Sequence, residues 1–159
     1  MKRGSTIFLR VVIILIGIAA FAVMIRFPLT EGRAASLDLF HIYWDPFIVY
    51  VYVASIPFFV VLYEAYRLLG FIGRDETFSQ GSVRALRIIK YSAIIEIIAI
   101  LLAVIYIRLF HNINDDPAGF IALGIILTFI AAVVATAAAV AEKLLQNAAE
   151  IKSENDLTV

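Results

Sequence analysis

Four apolar stretches, at residues 7–25, 46–69, 88–110 and 118–141, occupy most of this 159-residue chain. Each matches or exceeds the run of about 17–25 apolar residues with which a helix crosses a bilayer. None alternates with a period of two, which disfavours a membrane barrel. The chain is 63% apolar and 16% charged, where soluble domains average about 45–50% and about 25%. A chain this short makes at most one soluble domain, and such a core could not hide so much apolar surface. The sequence therefore predicts an all-α integral membrane protein, a four-helix transmembrane bundle forming one domain over residues 1–159.

Orientation follows from the basic residues, because cytoplasmic flanks carry an excess of Lys and Arg. Of the 13 in the chain, ten fall on one side: Lys2, Arg3, Arg10, Arg67, Arg74, Arg84, Arg87, Lys90, Lys143 and Lys152. Arg26, Arg33 and Arg108 fall on the other. Both termini, the loop 70–87 and the tail 142–159 are thus expected in the cytoplasm, and the loop 26–45 outside. The first stretch, with Ala-Phe-Ala at residues 20–22, has the general form of a secretory signal. Its apolar run continues to Ile25, which suits an anchor.

The zero net charge and the lack of a separate basic domain give no reason to expect direct nucleic-acid binding. The absence of cysteine removes disulfides, thiolate metal sites and cysteine nucleophiles. No P-loop, nucleophile elbow, zinc-protease or dinucleotide motif is present, so neither enzymatic activity nor a cofactor is expected. A weak metal constellation exists on the outer side: His41 with Asp38 and Asp45, and His111 with Asp115 and Asp116. Histidine and carboxylate ligands suit a divalent ion, but the spacing forms no tight motif.

Trp44 and Tyr43 precede Pro46 and suit an interfacial aromatic anchor, with Pro46 in the first turn of the next helix. Pro57 interrupts the second span and leaves the Val53 carbonyl without its usual donor, predicting a kink. In the loop 70–87, Gly70 and Gly73 can end the second span, and Ser79 can cap the next helix. Val83, Leu86 and Ile89 then line one face of that helix, with Arg84, Arg87 and Lys90 on another. This is a basic amphipathic approach to the third span, suited to an anionic membrane surface or a cytosolic partner.

The third span holds a lone carboxylate, Glu96, at a depth where an ionised side chain is costly. Ser92, Glu96, Ala99, Ala103 and Tyr106 share one face, so Glu96 is expected to face protein. Ile94, Ile98, Leu101 and Ile105 suit lipid. The fourth span offers a small-residue stripe of Gly124, Thr128, Ala131, Ala135 and Ala138. Beside it Thr136 lies at the depth of Glu96, within expected hydrogen-bonding reach. Glu64, Arg67 and Lys90 are further polar candidates nearby. Glu96 reads either as a packing residue held by such a neighbour or as an ion or proton site.

Beyond the fourth span, Leu144, Leu145, Ala148 and Ile151 keep helical spacing, so the last helix is expected to continue into the cytoplasm as far as Lys152. The segment GRDETFSQGSVRALRIIKYSA and the tail EKLLQNAAEIKSENDLTV resemble a bacterial membrane family catalogued as domain of unknown function 2975. Phe78, Ser79, Leu86, Lys90 and the tail residues Glu154, Asn155, Asp156, Leu157 and Thr158 match its pattern. The resemblance implies a small four-helix inner-membrane protein with no assigned activity. It also implies a gene neighbour encoding a helix-turn-helix regulator. Two functions are expected on these grounds. One is a membrane-embedded regulatory partner of a cytosolic protein, binding through Phe78, Ser79, Arg84, Arg87, Lys90 and the tail. The other is a small transporter or channel subunit, assembled as a homo-oligomer and using Glu96.

Overall fold

The computed structural model describes residues 3–30, 38–110 and 116–156. These residues form six helices and no strand: α1 (Arg3–Thr30), α2 (Leu39–Tyr43), α3 (Pro46–Ala54), α4 (Ile56–Gly73), α5 (Gln80–Phe110) and α6 (Ala118–Asp156). Four segments are long and apolar enough to cross a membrane, the second being α3 and α4 taken together. His111, Asp115, Leu157 and Thr158 lie outside the described residues.

Local chemistry sets the helix ends. Asp45 caps α3, its Oδ1 accepting from the Phe47 N–H at 2.9 Å, with Pro46 in the first turn as expected. The α4 terminus closes with the Glu76 N–H on the Phe71 carbonyl (2.9 Å) and the Asp75 N–H on that of Ile72 (3.3 Å). Asp75 takes the left-handed conformation this C-cap requires, at φ 60°. Ser79 caps the start of α5 by accepting from the Ser82 N–H at 3.3 Å. Ser82 is fully buried and donates its own hydroxyl to the Glu76 carbonyl.

The spans pack in sequence, α1 on α4, α4 on α5 and α5 on α6. The last pair is the most extensive, and α1 and α6 do not pack along each other. The two outer helices meet instead around shared neighbours, Phe27 of α1 and Phe120 of α6 packing on one cluster. Small residues set the spacing at the two outer seams. A Cβ on Gly124 would drive into the Val104 side chain, and Gly17, Gly70 and Gly73 lie against Leu62, Arg10 and Thr6. The expected faces hold except at Tyr106, which is half exposed. Val83, Leu86 and Ile89 are buried, as are Ala135 and Ala138 on α6, while Ile94, Ile98, Leu101 and Ile105 are exposed.

Two clusters anchor the two ends of the helices. Phe47, Ile48 and Ala103 pack with Phe27 and Phe120 at one end. Leu86, Ile89 and Ala138 pack with Leu68 and Leu145 at the other, where the basic residues gather.

Candidate functional site

Span two breaks at Ser55, between α3 and α4. Pro57 has no N–H to donate, and the first-turn N–H groups of α4 lack intrahelical acceptors. The Ser55 hydroxyl donates back to the Tyr52 carbonyl at 2.8 Å. Glu96 of α5 faces this break, its carboxyl against the backbone of Phe58. The other carboxylate oxygen, Oε2, is buried and has no hydrogen-bond partner.

Glu96 opens onto a cavity of about 230 Å³ lined by α1, α3, α5 and α6, including Phe27, Tyr50, Ser55, Ala103, Phe120 and Gly124. The Tyr50 hydroxyl is committed to the Ala99 carbonyl at 2.8 Å. The lining is otherwise almost wholly apolar, so a carboxyl oxygen here lacks the hydrogen bonds that buried polar groups ordinarily make. The site can hold a proton on Glu96, or the cationic or donor end of an apolar molecule.

The polar partners expected for Glu96 are engaged elsewhere. Thr136 is exposed and donates to the Ala132 carbonyl of its own helix at 2.8 Å, so it does not reach Glu96. The reason is angular: Ala135, one position back, takes the inward place. The inward hydroxyl of α6 is Thr128, whose Oγ1 is buried and unpartnered. Glu64 is buried and receives Arg67 Nη1 at 2.9 and 3.1 Å on its two oxygens.

A second constellation lies at the basic end. Glu142, only 7% exposed, accepts from Arg87 Nε at 2.7 Å and from Lys90 Nζ at 2.6 Å. It stands just past the apolar stretch of α6 that ends at Ala141. The Lys90 bond, and then the Arg87 bond, hold its carboxyl below the usual carboxylate range. Two of the three basic residues expected to meet a partner are thus bonded within the chain, although Arg87 keeps half its side chain exposed. Sequence reasoning missed Glu142. Its signal was position: it continues the row Gly124, Thr128, Ala131, Ala135, Ala138 by one more step of four.

Other expected contacts divide. Arg84 is exposed, and Phe78 is 52% exposed beside the Ser79 cap. Glu154 is exposed, and Asn155 and Asp156 complete the helix, which runs past the Lys152 end expected for it. The metal constellation does not assemble among the described residues. Asp45 and Asp116 cap α3 and α6 instead, and His41 is exposed with its ring edge-on to Phe40.

Comparison with known proteins also points to the membrane. The chain is 43% identical over 162 aligned residues, the whole of both chains, to the uncharacterized membrane protein YoaS of Bacillus subtilis (strain 168). No solved structure matches it. With residues 28–159 matched by the model of the protein family of unknown function DUF2975, this membrane protein belongs to that family.

Proposed function

We propose that the protein is a non-enzymatic, membrane-embedded regulatory partner of a cytosolic protein. The observation that carries this reading is the helical platform beyond the fourth apolar stretch. Helix α6 has 39 residues, about 58 Å at about 1.5 Å each, roughly twice a 30 Å hydrocarbon layer. Its last 15 residues, 142–156, therefore project, and the Glu142 bonds fix them against the start of α5. On the outer surface Leu144 is 65% and Ile151 61% exposed. Outside lipid, such side chains cost hydration that a docked protein removes. With the positive side of the chain inward, this platform faces the cytosol, where a helix-turn-helix regulator is the first partner to try.

The test is affinity purification from the native membrane, comparing the chain with Leu144→Ser/Ile151→Ser and with Phe78→Ala. The expected result is a soluble protein retained at a fixed ratio and lost from both variants. A partner set unchanged by the substitutions would overturn the reading.

The unpartnered Glu96 Oε2 on an apolar cavity favours a second reading, proton- or cation-coupled transport by an oligomer. Flux in reconstituted vesicles abolished by Glu96→Gln supports it; undiminished flux removes it.

A further inference from the structure

A separate cavity of about 200 Å³ lies where the first turns of α1 meet the last turn of α4, lined by Thr6, Ile7, Arg10, Gly70, Gly73 and Arg74. Thr6 is 5% exposed, and its Oγ1 has no hydrogen-bond partner. Arg10 Nε is likewise buried and unpartnered. The Arg10 guanidinium lies over the Tyr66 ring, 4.7 Å from its centroid, which fixes its plane. Neither Arg10 nor Arg74 has a carboxylate partner among the described residues, whereas Arg67, Arg87 and Lys90 all do. The nearby carbonyls of Phe71 and Ile72 already accept from the backbone N–H groups of residues 74–76.

The glycines make room for this arrangement. A Cβ on Gly70 would stand 2.5 Å from an Arg10 guanidinium nitrogen, and one on Gly73 would stand 3.3 Å from the Thr6 methyl. Two unpaired guanidinium groups and an unbonded buried hydroxyl thus meet in one cavity. The forked donors of Arg match the oxygens of a phosphate. We propose that this pocket binds a phosphate oxyanion, presented by the headgroup of an anionic phospholipid. Ile7 is 61% exposed beside the pocket and gives an acyl chain an apolar path away from it. The lipid would seat α1 on α4, the less extensive of the two outer seams.

The experiment is native mass spectrometry of the full chain, delipidated in detergent and titrated with phosphatidylglycerol, phosphatidylcholine or inorganic phosphate. One phosphatidylglycerol per chain should be retained in preference to phosphatidylcholine. Arg10→Gln/Arg74→Gln and, separately, Gly70→Ala should each weaken retention about tenfold, the worth of one charge-assisted hydrogen bond. Gly70→Ala leaves every charge in place, and helicity measured by circular dichroism checks that each variant is folded. Lys143→Gln, an exposed charge elsewhere, should change nothing. Competition by millimolar inorganic phosphate would keep the phosphate chemistry and assign it to a soluble phosphoryl ligand. Equal retention by wild type and folded pocket variants, or equal loss in Lys143→Gln, would overturn the site.

Discussion

At the scale of single residues, Glu142 bears the most on structure. Two bases from α5 converge on one nearly buried carboxylate of α6, so its removal leaves both without their acceptor. Glu142→Gln is expected to destabilise the folded chain by about 1.5–3 kcal/mol, the range for hydrogen bonds to a charged group. The folded carboxyl titrates lower than an unfolded one, so the linked stabilisation is complete above the unfolded pKa of about 4.3. It fades as pH falls through the lower folded value. Thermal unfolding in detergent should show a gap between wild type and variant that is constant from pH 7 to about 5 and shrinks below about 4. A gap independent of pH down to 3 would assign the effect to packing. Glu142 was hard to see in the sequence because Glu-Lys at the end of an apolar run reads as a solvated tail. Its bases lie more than 50 residues away, and no local periodicity joins them.

At the scale of elements, period and side-chain size made most of the fold legible. The four-and-three spacing of small residues on α6 marked its buried face, and Val83, Leu86 and Ile89 marked that of α5. Gly124 is a point of close approach in the seam between them, since any side chain there enters the space of Val104. Gly124→Leu should therefore separate α5 and α6 around Val104 and cost about 1–3 kcal/mol by overpacking. Gly119→Leu, on the same helix with nothing within 4 Å of its added Cβ, should be neutral. Unfolding midpoints of the two variants check the pair; equal losses would mean that the close approach to Val104 is not what sets the cost, since Leu is the better helix former at both positions. Less legible was how span two accommodates Pro57. Proline announces a missing hydrogen bond, but not that Ser55 ends one helix and begins another opposite Glu96. The cavity escaped for the same reason, being made by four helices and specified by none.

At the scale of the whole molecule, the functional reading rests on which side of the membrane the platform occupies. On the reading proposed above, the excess of Lys and Arg at that end puts it inside, together with the Glu142 bonds and the proposed phosphate pocket. The chain has no cysteine, so single cysteines can be introduced without background. Ser5 and Asn147 are exposed on helices that end at the basic side, and Gly119 is exposed at the opposite end of α6. Cysteines at 5 and 147 should resist a membrane-impermeant maleimide on intact cells and react in inverted vesicles, while one at 119 should do the reverse. Labelling of 5 and 147 from outside would turn the molecule over. The projecting end of α6 would then meet an external partner, and the pocket would draw on the outer leaflet. If 5 and 147 instead reacted on opposite sides, the number of crossings between them would be odd. One of the three spans preceding α6 would then lie along the membrane surface, and α1, joined to the rest mainly through α4, would be the first to re-examine.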